Sequence, residues 1–412
     1  MNKENDDQTM CGERGEKKSV CAVTGTRAEY GLLSPLLRRL RDDPELDLRL
    51  VVTGMHLCAE FGSTCGEIEQ DGFVPDARLE TLLSSDTGTG MAKSAGLGLI
   101  SFADYFAARR PDILIVLGDR FEIFAAAAAA AMSRVPIAHI GGGDTSEGAV
   151  DEFMRHSITK MSYLHFASNG ESARRILRLG ESPDRVFNVG ALNVENILSR
   201  KLLERNELSE KLGMDLRGDY ALVTFHPVTQ SGPQDDDPNG GPRSAERQAE
   251  ALVRAVGSFP DMKFLFTKAN ADSGGRAVNA VLDRISAQNC RVVSSLGALN
   301  YLSAMKYANA VIGNSSSGIY ETPVFGVPAI DIGDRQKGRT RAGNVVNCKA
   351  ESDDIVLAIK KALSPEFREQ AQKADNPFGD GKASSLIINH VREFLFSGAA
   401  VNLAKSFYSP EN

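Results

Sequence analysis

Short, nearly unbroken apolar runs alternate along this chain with longer stretches in which apolar residues recur every three to four positions. Ser19 to Thr24 is the first such run, and it predicts a buried strand. Tyr30 to Arg41 then carries Leu32, Leu33, Leu36, Leu37 and Leu40, the spacing of an amphipathic helix. Leu46 to Thr53 predicts a second strand. Asp112 to Gly118, with Ile113-Leu114-Ile115-Val116-Leu117, is the clearest buried strand, because a near-continuous β-branched and leucine run suits a parallel sheet covered on both faces. A helix from Phe121 to Met132, including the alanine block Ala125–Met132, and a strand from Val135 to Ile140 follow.

The alternation restarts further on. Tyr220 to Phe225, Lys263 to Thr267 and Ala310 to Gly313 predict three more strands. Strands alternating with helices predict an α/β fold of doubly wound parallel sheets. Between Gln230 and Arg243 the composition turns to Gly, Pro and Asp, which predicts an exposed loop. A charged stretch near 195–215 marks the expected boundary, giving an N-terminal Rossmann-like domain over 18–200 and a second over 201–375. The polar residues 1–17 are expected to form a disordered tail without the apolar core of a signal peptide.

Length and charge narrow the function. At 412 residues the chain exceeds the usual single domain. A net charge of −7 argues against nucleic acid as a partner. No run approaches the roughly 18–20 apolar residues of a membrane span, so no membrane association is expected and a cytoplasmic protein is. Six cysteines occur without a CxxC pair, which speaks against a zinc site or a disulfide framework. No metal is expected, and no nicotinamide cofactor, since a GxGxxG is missing.

Chemistry concentrates where strands end. Gly25-Thr26-Arg27-Ala28-Glu29 follows the first strand and Gly313-Asn314-Ser315-Ser316-Ser317-Gly318 follows the last-named one. Both read as strand, tight turn and helix start, where outward N–H groups favour an anion. Arg27 would hold a phosphate or a substrate hydroxyl with Glu29 orienting it; a surface Arg-Glu pair capping the helix is an equal alternative. Asp119 and Arg120 stand at the carboxyl end of the best strand, where open α/β sheets bind ligands; Asp119 is a candidate acid/base group, or else an N-cap.

His139 precedes Gly141-Gly142-Gly143, read as a close backbone approach to a ligand. Asp144, Glu147, Asp151, Glu152, Arg155 and His156 come next. Asp151 and Arg155, and Glu152 and His156, are four apart and share a helix face, so an acid/base pocket competes with an ordinary acidic helix start. In the second half His226 precedes a proline at a strand end. Glu321, expected one turn into the helix after the serines, could bind both hydroxyls of a ribose. Arg335, Lys337 and Arg339 surround one loop, suited to a diphosphate.

These motifs, in this order, resemble the UDP-N-acetylglucosamine 2-epimerase family from about Ser19 to His390. They include Gly25 to Gly31, Gly118 to Glu122, Thr145 to Ala149, Arg155 to Lys160, Thr224 to Pro227, Lys268-Ala269-Asn270-Ala271-Asp272, Ser315 to Glu321 and Gly333 to Arg339. Ala28 and Val150-Asp151-Glu152 stand where non-hydrolysing relatives have a proline and a Pro-Glu-Glu segment, so the hydrolysing branch is the nearer match.

The resemblance implies a GT-B-like pair of Rossmann-like domains and a final segment, 376–412, with a helix crossing back to the first. It implies a nucleotide-sugar substrate, most readily UDP-N-acetylglucosamine, epimerised at C2 to free N-acetylmannosamine or a di-N-acetylated analogue for sialic or legionaminic acid, through a 2-acetamidoglucal. Asp119 and Asp151 match acid/base positions, and His226 a histidine that assists the leaving group. Arg27, Arg120, Asn270 and Arg335 fall at binding positions, with Ser315, Ser316, Ser317, Gly318 and Glu321 on the nucleotide diphosphate. Some relatives carry a glutamate two residues after His139; Gly141 stands here, so Asp144, Glu147 or Glu152 would take that part. A homodimer or homotetramer is implied. A non-hydrolysing epimerase, a GT-B glycosyltransferase and a nucleotide-sugar binder would use the same cradle.

Overall fold

In the computed structural model, the described residues are 16–61, 63–85, 87–145, 151–227, 245–269, 275–398 and 402–409. Most of the expected tail therefore lies outside them, as do the whole Gly/Pro/Asp loop, Glu147 and Asn270. The chain builds two parallel sheets. The first contains β1 (Lys18–Thr24), β2 (Leu46–Thr53), β3 (Ala77–Leu79), β4 (Ile113–Leu117), β5 (Ile137–Ile140), β6 (Leu164–Ala167) and β7 (Val186–Asn188), in the order β3-β2-β1-β4-β5-β6-β7. The second contains β8 (Tyr220–Thr224), β9 (Lys263–Thr267), β10 (Cys290–Val293), β11 (Ala310–Gly313), β12 (Ala329–Ile332) and β13 (Val345–Cys348), in the order β10-β9-β8-β11-β12-β13.

The continuous apolar runs are strands buried on both faces, with alternate residues serving opposite layers. On β1 and β4, Val20, Ala22, Ile113 and Ile115 join one core, while Cys21, Val23, Leu114 and Val116 join the other. The second sheet divides likewise, with Ala221, Val223, Phe264 and Phe266 against Tyr220, Leu222 and Leu265. Six short outer strands, β3, β6, β7, β10, β12 and β13, went unmarked by the apolar pattern. Of these, β12 ends at Ile332, just before the basic loop, and its buried Asp331 pairs with Arg341 at 2.8 Å.

Strand order reverses direction between β1 and β4 in one sheet and between β8 and β11 in the other. At such switch points the loops beyond the carboxyl ends part and leave a crevice. Each glycine-punctuated loop thus borders a switch point, one following β1 and the other β11. After the second sheet, the helix Ala383–Phe396 returns to the first half. Its Ile387, Ile388 and Val391 share a core with Leu33, Leu36 and Leu37, and Arg39 Nε donates to Ser384 Oγ at 2.8 Å. No helix among the described residues is long and apolar enough to cross a membrane.

Candidate active site

The first crevice begins with the turn after β1. Thr26 caps the helix Arg27–Asp42 and accepts from Glu29 N at 3.2 Å, while Glu29 Oε2 accepts from Gly25 N at 2.8 Å and Thr26 N at 3.2 Å. This is a reciprocal capping box. It corrects two expectations. Three N–H groups of the turn already have acceptors inside the turn, so they are not a cradle for phosphate. Glu29 is buried on the backbone rather than orienting Arg27, and its second oxygen has no hydrogen-bond partner. Burial raises its carboxyl to about 7. Arg27 itself is exposed and pairs with Glu67 at 3.0 Å.

Beyond β4 the charges gather. Gly118 turns the chain with φ +77°, a left-handed conformation glycine adopts without strain. Asp119 Oδ2 accepts from Arg155 Nε at 2.7 Å and also from Arg155 Nη2. It is not the helix cap, a position held by Arg120 without a side-chain bond. Arg120 forks onto buried Glu122 through Nε and Nη2, both at 3.2 Å. Arg155 Nη1 reaches Glu152 Oε2 at 2.9 Å, and Glu152 Oε1 lies 3.1 Å from His156 Nε2. Both helix-face residues thus join one cluster, although Arg155 pairs with Asp119 and Glu152 instead of Asp151. Asp151 opens the helix Asp151–Met161 and still reaches solvent. Partial desolvation, followed by the neighbouring Asp119 charge, raises its carboxyl above the usual range.

Two glycines of the triplet serve packing. A Cβ on Gly142 would lie 2.9 Å from His139 Nδ1 and from Thr159 Oγ1, and one on Gly143 would lie 2.3 Å from Ser172 O. The close approach is to the chain itself, not to a ligand. His139 is fully buried, bridging Gly118 O at 2.8 Å and Thr159 Oγ1 at 3.2 Å, and desolvation drops its pKa to about 3. It is a neutral tie between strand ends, not an acid. Asp144 Oδ1 accepts from Ser168 Oγ at 2.7 Å and Ser172 Oγ at 2.5 Å, and its carbonyl accepts from Arg155 at 2.9 Å. It anchors the loop beneath the cluster.

The second crevice differs in kind. His226 N donates to Asn314 Oδ1 at 2.7 Å, and Asn314 Nδ2 returns a bond to His226 O at 2.8 Å, stitching the ends of β8 and β11 together. Arg335 Nη1 donates to Asn314 O at 3.1 Å, which brings its guanidinium to the start of the serine loop. Arg339 lies over Tyr320, 5.5 Å from the ring centre, and Lys337 is exposed. Glu321 does not sit one turn into a helix. It stands at the break between two short helices, Ser317–Tyr320 and Thr322–Phe325, where Pro323 cannot continue the first. Its carboxylate has no hydrogen-bonding or ionic partner among the described residues, and desolvation raises it to about 7.

That carboxylate opens on a cavity of about 370 Å³ at the carboxyl ends of β8 and β9, lined also by His226, Lys268, Ser295, Tyr301 and Ser317. Behind Ser317 runs a line of hydroxyls through Tyr301, Thr224 and Thr267. Sequence reasoning missed Tyr301, which lies on the helix Gly297–Tyr307 with no nearby motif, and Glu122 and Asn314, which appeared only as motif neighbours. Asn314 had a signal: at Gly313 a Cβ would lie 1.8 Å from Thr224 O, so glycine there marks two strand ends in contact.

The two crevices face each other. Thr145 Oγ1 donates to Gly338 O at 3.0 Å and Thr340 Oγ1 to Asn169 Oδ1 at 3.4 Å, joining the loops after β5 and β6 to the loop after β12 across the gap. Val194, Ile319 and Phe378 form an apolar seam between the halves. Tyr320, from the serine loop, feels the charges of Asp144, Arg155 and Asp119. Among the described residues no His, Cys, Asp and Glu side chains gather as a metal-holding group.

Comparison with known proteins agrees with this fold. The family model described as UDP-N-acetylglucosamine 2-epimerase matches residues 38–392. The chain is 37% identical to a GDP/UDP-N,N'-diacetylbacillosamine 2-epimerase (hydrolyzing) of Campylobacter jejuni, over 86% of this chain and 89% of that protein. It is 38% identical to the polysialic acid biosynthesis protein P7 of Escherichia coli, over 92% and 95%. The fold superposes on a UDP-GlcNAc 2-epimerase of Neisseria meningitidis bound to UDP-GlcNAc with a TM-score of 0.73 at 18% identity, covering 91% of this chain and all of that one.

Proposed function

The chain belongs to the UDP-N-acetylglucosamine 2-epimerase family, and from that membership we propose that it is a hydrolysing 2-epimerase. The reaction takes a UDP-linked, N-acetylated amino sugar and water to UDP and the free sugar inverted at C2. N-acetylglucosamine and N,N'-diacetylbacillosamine are the two sugars that the relatives' names support. One observation carries the reading: a carboxylate cluster, Asp119 with Asp151, Glu152 and Arg155, faces a hydroxyl-lined cavity holding Glu321, a carboxylate with no partner among the described residues. A glycosyltransferase would use the cavity but has no need of the cluster.

In this mechanism the C1–O bond breaks first and its electron pair leaves with the diphosphate. Arg335, the serine loop and His226 stabilise that departing charge. A carboxylate then removes the C2 proton, giving a 2-acetamidoglucal. Water adds at C1 while C2 receives a proton on the opposite face. We assign the base to Asp119, which Arg155 holds in place, and the acid to Asp151, whose raised pKa lets it carry a proton. Arg27 and Arg120 border the sugar. Residues 18–200, with the returning helix, form the sugar half and 201–375 the nucleotide half. A cytoplasmic protein of two or four copies, supplying a 2-epimerised amino sugar for sialic- or legionaminic-type acids, completes the proposal; exposed Leu97 and Ile100 on the helix Gly88–Ala108 suit a contact between copies.

Proton NMR in D2O tests it, with UDP-N-acetylglucosamine and UDP-N,N'-diacetylbacillosamine in parallel, and the GDP analogues beside them. The expected result is free nucleoside diphosphate and a 2-epimer bearing deuterium at C2. Reversible inversion with the nucleotide retained would assign the non-hydrolysing reaction instead. No turnover of any of the four would overturn the proposal.

A further inference from the structure

Five hydroxyls cross the floor of the second crevice. Thr267 Oγ1 lies 2.8 Å from Thr224 Oγ1, which lies 3.2 Å from Tyr301 OH. Tyr301 OH is 2.7 Å from Ser317 Oγ, and Ser317 Oγ is 3.0 Å from Ser315 Oγ. These groups come from the ends of β8 and β9, from the helix Gly297–Tyr307 and from the serine loop. All five side chains also line spaces at the strand ends, and Ser315 and Ser317 reach the 370 Å³ cavity that holds Glu321.

A hydroxyl has one proton to give. In a chain of hydroxyls the choice made by one member fixes the next, and each bond polarises its neighbour. Ser317 donates to Ser315 in this geometry. With that proton committed, Ser317 accepts from Tyr301, Tyr301 accepts from Thr224, and Thr224 accepts from Thr267. Every proton then points the same way, and the hydroxyl of Ser315 keeps its own for a group outside the protein. Such an end favours an acceptor, an anionic oxygen above all. Desolvation raises the Tyr301 phenol, so it stays a donor at neutral pH.

We infer that Tyr301 is a positioning residue that aligns this relay toward the serine loop, so that Ser315 donates to the phosphate of the bound nucleoside diphosphate. The inference rests on the proposed function for the presence of that diphosphate. It assigns to Tyr301 a part that does not touch the sugar or the reacting carbons. Without the phenol oxygen, Ser317 loses its donor and the chain breaks at its middle.

The test is calorimetric binding of UDP and of uridine to the full chain and to Tyr301→Phe, which keeps the ring and removes one oxygen. The relay serves the phosphate, so UDP should bind about ten- to a hundredfold more weakly, the worth of one hydrogen bond to a charged group, while uridine should bind as before. Thr224→Val, one link further away, should weaken UDP less, and Thr267→Val least. Equal losses for UDP and uridine would make Tyr301 a wall of the cavity and overturn the relay; so would an unchanged affinity for UDP. Wild-type protein that binds neither ligand would overturn the proposed function itself, and that is read before any variant is made.

Discussion

The crevices at the two switch points are built on the same strand logic and filled with opposite chemistry. Beyond β1 and β4 the side chains are charged and occupied with one another: Asp119, Glu152 and His156 around Arg155, and Glu122 on Arg120. Beyond β8 and β11 they are mostly hydroxyls, with Glu321 beside a cavity and without a partner among the described residues. The cause is local. The helix after β1 is long and satisfies its own start through Glu29, whereas the segment after β11 breaks after one turn, and Ser316 makes no side-chain cap. A closed ionic network holds geometry for proton transfer. An open neutral one leaves room for a ligand that brings its own charge.

Breaking the charged crevice should have the largest effect. Arg155→Met leaves Asp119 and Glu152 without their shared cation in a mostly buried place. It should cost about 3–5 kcal/mol of stability, measured by denaturant unfolding. Asp119→Asn keeps the shape and removes the charge, and turnover should fall by about 10²–10⁴ with a much smaller change in stability. A variant that unfolds early but turns over normally when folded would separate the network from the chemistry.

The same helix is also held at its far end. Lys405 Nζ donates to Lys160 O and Ser162 O, both at 2.7 Å, and to Glu181 Oε2 at 2.8 Å. Burial would push the Glu181 carboxyl up, but hydrogen bonds from His165, Lys160 and Lys405 outweigh it and hold it near 2. A depressed carboxyl stabilises the fold above its unfolded pKa, about 4.3, and that contribution disappears as pH falls to about 2. Lys405→Met should cost about 1–3 kcal/mol at pH 7 and flatten the acid limb of a stability–pH curve.

Glu321 sharpens the comparison with a proton count. Its carboxyl is raised to about 7, so the folded protein holds a proton that the unfolded chain releases near 4.3. The sign is opposite to Glu181: its contribution to stability is present below the unfolded pKa and declines as pH rises toward 7. Ribose hydroxyls donating to the carboxylate would lower that pKa. Binding of UDP at pH 6 should therefore release a fraction of a proton, measured by calorimetry in buffers of different ionisation enthalpy. Glu321→Gln should abolish the release and weaken binding.

The inner strands were legible because β1, β4, β8 and β11 are apolar on both faces, a pattern with no competing explanation. Outer strands such as β7 and β10 are only three or four residues long, none of them fully buried, and carry little hydrophobic signal. The sites divide differently. Motif reading picked out loops that the fold brings to the two switch points, because glycine is required at turns such as Gly118. It could not tell whether a turn's N–H groups were free or already taken by Glu29, since that depends on one rotamer. It read Gly142 and Gly143 as room for a ligand, when Thr159 and Ser172 from the adjoining helices fill the space. Tyr301 was invisible because its meaning comes from Ser317 and Thr224, brought to it only by folding.

Arg27 should show the smallest change in stability, and it decides whether any of the first turn is functional. Its ion pair with Glu67 is exposed, with 74% of the Arg27 side chain open to solvent. Such pairs contribute about 0–1 kcal/mol. Arg27→Ala should therefore leave the unfolding midpoint nearly unchanged, as should Glu67→Gln. If Arg27 borders the sugar nucleotide, its loss should nevertheless raise KM or lower kcat, and high salt should reproduce part of the loss in the wild type through screening. Glu67→Gln would not, because it frees the guanidinium instead of removing it. Equal and negligible effects of both variants on turnover would reduce the turn after β1 to a well-capped helix start and leave the first crevice's chemistry to the loops after β4 and β5.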